Sequence, residues 1–169
     1  MRRVLEADKD AYITDKIVAG RRSVDANVGA AGSLDLFKLY GETTSGSSLN
    51  VELSRLLVHF NLDPLRSLVT SHRIDPGESS FACTLRLADV YGGQPTPANF
   101  DVEVHPLSAS FDEGLGRDVV FYGDVDVCNF ITGSRVGGAW YVSGAGLGGH
   151  VSGAVDFITS ATLGGMSTS

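Results

Sequence analysis

Apolar and polar residues alternate in several short segments of this chain, and a period of two is the pattern of half-buried β-strands. The alternation is cleanest over residues 81–88, and residues 100–105 repeat it. Residues 52–61 contain a short apolar run of the kind found in central strands. We expect the core to be filled from these three predicted strands, by Leu56, Val58, Phe60, Leu85, Leu87, Val102 and Val104.

Weaker β signals occur at 12–18, 34–40, 119–131 and 140–142. One segment has helical spacing instead, with Asp63 as the predicted N-cap and Pro64 at the first helical position. Many short strands, one short helix near 63–72 and frequent Gly/Pro corners favour an all-β fold. The specific prediction is an antiparallel β-sandwich, jelly-roll-like in form.

The 169 residues are enough for one domain with a core, plus a tail. We predict a sandwich domain over 1–143. Residues 144–169 are rich in glycine and predict either a C-terminal arm or the closing strands of the same sandwich. As an arm, this segment would assemble with a neighbour through its apolar residues, which are Val151, Val155, Phe157, Ile158 and Leu163.

Charge and apolar content restrict the partners of the protein. The 13 Lys and Arg against 20 Asp and Glu give a net charge of −7, which disfavours nucleic-acid binding. No apolar run approaches the roughly 20 residues of a membrane span. No apolar stretch follows Arg2 and Arg3, so we expect no secretory signal.

The two cysteines, Cys83 and Cys128, are compatible with one disulfide or with two buried thiols.

Oxygen-rich residues at one point in the chain suggest a cation site. Asp124, Asp126 and Asn129 offer three oxygen ligands within six residues, which is chemistry that calcium prefers. Their spacing differs from that of an EF-hand loop, and a solvated loop with an Asn turn explains them equally. No other metal or cofactor is indicated.

Catalytic motifs are weak in this sequence. The adjacent acids Asp112 and Glu113 precede a glycine, so we interpret them as a structural corner rather than as two carboxylates facing one substrate. We therefore expect no enzymatic activity. Six aromatic residues could instead form a platform for stacking sugars, although core packing would use the same residues: Tyr12, Tyr40, Tyr91, Tyr122, Trp140 and Tyr141.

Five motifs between Ala7 and Gly116 together resemble the DNRLRE-type β-sandwich module. They are the opening Ala7 to Ile13, the corner Asn27-Val28-Gly29, the strand Arg55 to Leu62, the strand Cys83 to Ala88, and Phe111-Asp112-Glu113-Gly114. Substitutions occur in several, with valine for the aromatic of the corner and phenylalanine for the tryptophan of the last motif. The family has no universal catalytic residues to carry over.

The resemblance implies a rigid building block of a surface or of a virus particle. The connections 91–97 and 116–122 are similar to the version found in structural proteins of tailed phages. We therefore expect a virion component of the tail, tail-fibre or capsid-decoration class, oligomeric and bound to other virion proteins. The alternative that the resemblance leaves open is a carbohydrate-binding module for surface glycans.

Overall fold

The computed structural model describes residues 2–40, 51–90, 102–107, 109–121 and 124–145. Most of the regular structure in these residues is strand, with one short helix, as the sequence predicted. The elements are β1 (Ala7–Thr14), β2 (Ile17–Val18), β3 (Arg21–Arg22), β4 (Lys38–Tyr40), β5 (Val51–Phe60), α1 (Asp63–Thr70), β6 (Thr132–Ser134) and β7 (Gly138–Ala139).

These strands form three small sheets. The largest has β5 at its centre, between β1 and β4, and the other two are the pairs β2–β3 and β6–β7. The pairs β4–β5, β2–β3 and β6–β7 are antiparallel. An isolated antiparallel bridge joins Tyr12 of β1 to Val28. The side of β1 at Tyr12 therefore meets the corner that follows β3.

The chain divides into two compact units, and the division falls inside β1 and β5. One unit comprises Met1–Asp8 and His59–Phe100, and the other comprises Lys9–Val58 and Asp101–Ser169. The first contains α1, whose buried residue is Leu68. The second contains two apolar clusters.

Alternate residues of β1 enter different clusters. Ala11 and Ile13 belong to the first cluster, with Leu57, Phe111, Cys128, Trp140 and Ala145. Tyr12 belongs to the second cluster, with Ala26, Val28 and Val119. Since successive side chains of a strand point to opposite faces, both faces of β1 are covered here.

The predicted helix is confirmed, with a one-residue difference at its start. Asp63 is the first helical residue and Leu62 takes the N-cap position without a side-chain cap. The side chain of Asn61 instead accepts a hydrogen bond from the backbone N–H of Asp63, at 2.9 Å. Pro64 remains in the first turn, where its missing N–H leaves no bond unmade.

Two of the three best predicted strands are not strands. Residues 81–88 and 102–105 have no regular structure, whereas β5 agrees with the predicted strand to within one residue. Leu85 and Leu87 are 42% and 47% exposed, so their assignment to the core was wrong. Alternation makes a strand only where a second strand takes its main-chain hydrogen bonds, and no described strand pairs with residues 81–88.

The other five residues predicted to fill the core are less buried than expected. Leu56, Val58, Phe60, Val102 and Val104 are partly buried, and the buried leucine of β5 is the neighbouring Leu57. Leu56 packs against the second cluster while Leu57 lies in the first, so both faces of β5 carry apolar contacts. A strict inside–outside assignment fails on a strand of this kind.

The weaker β predictions are displaced in the structure. The strand expected over 34–40 is limited to β4, and the segment 119–131 consists mainly of bends where it is described. The strand expected at 140–142 lies earlier, at β7, which pairs with β6. Trp140 then packs against Gly133 of β6, because that glycine leaves room for the indole ring.

Replacing Ile13 by alanine should lower the free energy of unfolding by about 2–5 kcal/mol, because Ile13 is fully buried and its removal leaves a cavity. Urea unfolding followed by circular dichroism measures the change. Val136→Ala is the matched control, since Val136 is 96% exposed and its truncation should cost no more than about 0.5 kcal/mol. Equal effects of the two substitutions would show that β1 does not fill the core.

Candidate functional site

The most connected buried polar group in the described residues is the side-chain amide of Asn27. Its nitrogen donates to the carbonyl oxygens of Glu113, at 2.7 Å, and Cys128, at 2.8 Å. Its oxygen accepts from the backbone N–H of Gly116, at 2.7 Å, and more weakly from that of Gly29, at 3.4 Å. We call Asn27, Gly29, Glu113, Gly116 and Cys128 the Asn27 junction.

Glycines make the close approach at this junction feasible. A Cβ atom on Gly29 would overlap the carbonyl group of Glu113, and one on Gly116 would overlap the carbonyl group of Asn27. Gly114 has a φ of +81°, which L side chains rarely adopt, and a Cβ there would meet Val127 and Asn27. The glycines of both motifs are therefore required by packing.

The acids next to the junction bind main-chain groups of different elements. A carboxylate oxygen of Glu113 accepts from the N–H of Asp10 in β1, at 2.7 Å. A carboxylate oxygen of Asp112 accepts from the N–H of Arg135, at 2.7 Å, beside the β6–β7 hairpin. Asp112 and Glu113 thus lie in a corner, as the sequence predicted, and their carboxylates bind the middle of β1 and the residue that follows β6.

Cys128 completes the junction from the first apolar cluster. Its sulfur lies 3.6 Å from the carbonyl oxygen of Glu113 and 3.7 Å from the amide nitrogen of Asn27. Burial raises the pKa of the Cys128 thiol to about 12, with smaller contributions from the charges of Asp112 and Glu113. The thiol is therefore uncharged at neutral pH and a poor nucleophile. Both cysteines are free, so no disulfide joins them, and the alternative of two buried thiols is correct for Cys128 but wrong for Cys83, which is exposed.

The residues proposed as calcium ligands are arranged around a buried asparagine. The side-chain oxygen of Asn129 accepts from the N–H groups of Ile131 and Thr132, each at 2.8 Å. These bonds use both lone pairs of that oxygen, so it closes the loop before β6. Asp126 is exposed and Asp124 partly so. Calcium binding here stays a prediction, and it would have to rely on the two aspartates and on carbonyl oxygens.

The six aromatic residues do not form one described surface. Tyr12 and Trp140 are buried, and Tyr141 is 72% exposed. The side chains of Tyr40, Tyr91 and Tyr122 lie outside the described residues. The Trp140 indole donates to the carbonyl oxygen of Asn129, at 2.8 Å. Both buried rings therefore have structural roles.

Burial raises the pKa of Tyr12 to about 12, and the nearby charges of Asp35 and Asp118 add to the shift. A hydrogen bond with Asp35 contributes in the same direction. The hydroxyl therefore remains protonated at neutral pH, and the ring fills the second cluster.

One shallow depression lies beside the β6–β7 hairpin. It has a volume of about 280 Å³, and its lining includes Val125, Asp126, Ser134, Arg135, Gly138 and Ala139. The two charged residues have opposite signs. No group of three His, Cys, Asp or Glu residues in the described ranges is placed to hold a metal ion.

The start of the predicted arm is anchored in the second unit. Ala145 is buried in the first cluster, and the carbonyl oxygen of Gly144 accepts a hydrogen bond from Arg55. Gly144 has a φ of +81°, and a Cβ there would meet the ring of Phe130. The predicted assembly residues all lie beyond Ala145, outside the described residues: Val151, Val155, Phe157, Ile158 and Leu163.

Sequence reasoning identified the two corners of the junction but not their contact. Asn27 and Glu113 are separated by 86 positions, and no local pattern indicates that they meet. The available signal was the glycine content of both corners, Asn27-Val28-Gly29 and Glu113-Gly114-Leu115-Gly116. The role of Arg55 in binding Gly144 had no signal beyond its charge.

Comparison of the chain with protein-family models, with curated proteins and with solved structures finds no match. Among the described helices, none has both the length and the apolar character needed to cross a membrane.

Replacing Asn27 by aspartate should lower the free energy of unfolding by at least about 3 kcal/mol, because two buried carbonyl groups lose their donor and a carboxylate becomes buried. Asn61→Asp is the matched control. Asn61 is exposed and uses only its oxygen, so the same substitution should change stability by less than about 0.5 kcal/mol. Chemical denaturation measures both, and comparable losses would mean that the Asn27 amide does not hold the two corners together.

Stability should fall at alkaline pH. Folding raises the pKa of Cys128, so the folded state holds this proton more tightly than the unfolded chain, in which the pKa of the thiol is 9.0. The contribution is complete below that pH and is lost as the pH rises towards about 12. Each pH unit in this window costs about 1.4 kcal/mol. Urea unfolding at pH 7.5 and 10.5 measures the loss.

The Cys128→Ser variant is the control for this titration, because a serine hydroxyl does not ionise in this range. Its stability should fall less between the two pH values than that of the natural protein, by about 2 kcal/mol or more. An identical pH dependence of the two proteins would contradict a buried, protonated thiol.

Proposed function

We propose that this chain is a non-enzymatic structural component of a bacteriophage virion, in the tail, tail-fibre or capsid-decoration class. It acts by protein–protein assembly with other virion proteins and with copies of itself in the particle. The proposal combines the resemblance to the DNRLRE-type module with the chemistry of the Asn27 junction.

The contact between two separated motifs is the observation that carries the proposal. The corner Asn27-Val28-Gly29 and the segment Phe111-Asp112-Glu113-Gly114 are two of the five motifs on which the resemblance rests. They meet through the Asn27 amide, and the glycine of each allows the contact. Motif residues that join two corners of the same domain make that domain rigid, and rigidity is what a structural building block requires.

We also propose that the second unit has a sandwich-like layered architecture. Its support is the burial of β1 on both faces, with Ile13 in one cluster and Tyr12 in the other. Apolar layers on both sides of a sheet are what a sandwich or a related layered β fold requires.

The polar groups in and beside the Asn27 junction favour a structural role for this region rather than a catalytic one. The carboxylates of Asp112 and Glu113 each bind a backbone N–H, and the thiol of Cys128 is buried and protonated at neutral pH. Fewer aromatic side chains remain available for stacking sugars in the glycan-binding alternative, since Tyr12 and Trp140 are buried in the core.

Association with particles tests the proposal directly. Phage particles produced from the gene cluster that encodes this chain are purified on a density gradient, and the chain is detected by mass spectrometry. We expect it in the particle band at a fixed ratio to the major capsid protein. Its presence only in the unassembled fraction, together with binding on a glycan array, would favour the carbohydrate-binding alternative and overturn the proposal.

A deletion of residues 146–169 tests whether the C-terminal segment is an arm. The deletion begins after Ala145 because Gly144 and Ala145 contribute to the packed unit. We expect a folded monomer with unchanged circular dichroism that no longer enters particles. Loss of the folded state would instead identify the segment as closing strands of the same fold.

A further inference from the structure

The depression beside the β6–β7 hairpin brings two opposite charges together without an ion pair between them. Its lining includes Asp126 and Arg135, and both residues are exposed. Within the described ranges, neither charged group takes part in an ion pair. We call this depression the hairpin site. Both of its charges are available to a ligand that enters it.

Uncharged groups complete the lining of the hairpin site. Ser134 is buried, and its hydroxyl oxygen accepts a hydrogen bond from the N–H of Gly137, at 2.7 Å. The hydroxyl proton of Ser134 can therefore be donated to a ligand. Thr132 adds a second hydroxyl, and the side chains of Val125 and Ala139 add apolar surface. The site thus combines two charges, two hydroxyl groups and a small apolar wall.

Hydrogen bonds hold the frame of the hairpin site in place. The side-chain oxygen of Asn129 accepts from the N–H of Thr132, and its carbonyl oxygen accepts from the Trp140 indole, each at 2.8 Å. The main-chain N–H of Arg135 donates to the carboxylate of Asp112, at 2.7 Å. Because both strands of the hairpin are fixed in this way, a ligand would bind without ordering the main chain, and binding is then less costly.

Charge and size restrict the ligands that fit this site. An anion attracted by Arg135 is repelled by Asp126, and the reverse holds for a cation. A zwitterion satisfies both groups at once. The ammonium group of an α-amino acid can donate to a carboxylate, and its own carboxylate can accept two bonds from a guanidinium. The volume of about 280 Å³ lies near the lower end for small-molecule sites, so the ligand is small.

We propose that the hairpin site binds a zwitterionic α-amino acid with a short aliphatic side chain. The ammonium group lies on Asp126, and the carboxylate accepts from Arg135 and from the hydroxyl of Ser134. The aliphatic side chain packs against Val125 and Ala139. This binding is separate from virion assembly, so either proposal can fail while the other holds.

Titration of the full-length, ¹⁵N-labelled chain with L-alanine tests the site. The titration is followed by amide chemical shifts at constant ionic strength in calcium-free buffer, since Asp126 is also a predicted calcium ligand. We expect saturable shifts centred on residues 132–139. Acetate and ethylamine each carry only one of the two charges, so each should bind at least about threefold more weakly than L-alanine.

The single-charge probes also identify the outcomes that contradict the proposal. Acetate that binds as tightly as L-alanine would indicate a simple anion site, and ethylamine that does so would indicate a simple cation site. Either result would overturn the proposal, and so would the absence of saturable shifts with L-alanine.

Two substitutions test the two charges separately. Arg135→Gln and Asp126→Asn should each weaken L-alanine binding about threefold or more, because each removes one ionic contact. Arg73→Gln is the matched control, since Arg73 is also exposed and lies outside the hairpin site, and it should bind L-alanine as the natural chain does. Circular dichroism checks that these surface substitutions leave the fold unchanged. Unaltered binding to both site variants would place the ligand elsewhere and overturn the proposal.

Discussion

The fold of the second unit depends on one buried amide. The side-chain amide of Asn27 donates two hydrogen bonds to main-chain carbonyl groups and accepts another from a main-chain N–H. These bonds join two corners that are 86 positions apart in the sequence. Aspartate has the shape but no donor, and leucine has neither donor nor acceptor. A buried polar group that is fully hydrogen-bonded specifies one arrangement of the chain, because any other leaves main-chain groups without partners.

The glycines and acids around Asn27 follow from that constraint. The corner at Gly29 must approach Glu113 closely for the amide to reach both carbonyl groups, so a side chain there is not tolerated. Once Glu113 is fixed, its carboxylate reaches the N–H of Asp10 and so positions β1. The junction therefore also determines where Ile13 and Tyr12 enter the two apolar clusters. Polar connections set the geometry, and apolar burial on either side supplies the stability.

The sequence was sufficient for the elements with strong local signals. The β-rich class, the helix that begins at Asp63 and the strand from Val51 to Phe60 all follow from periodicity and from the proline of the first turn. Boundaries differ by one residue at the start of the helix and at both ends of the strand, and by two at the end of the helix, which is normal for strand and helix ends. The corner at Asn27 was also recognisable, because an asparagine followed by a glycine two positions later marks a turn.

The failures have a common physical cause. Periodicity records which side chains would share a face, but it does not say whether a second strand will be present, and residues 81–88 show the difference. The same limit applies to the contact between Asn27 and Glu113, since sequence separation hides it. In both cases the missing information is the identity of a distant partner. For Asn27 that partner lies within the chain. For residues 81–88 no described strand supplies it, and Leu85 and Leu87 are left partly exposed in spite of their alternating pattern.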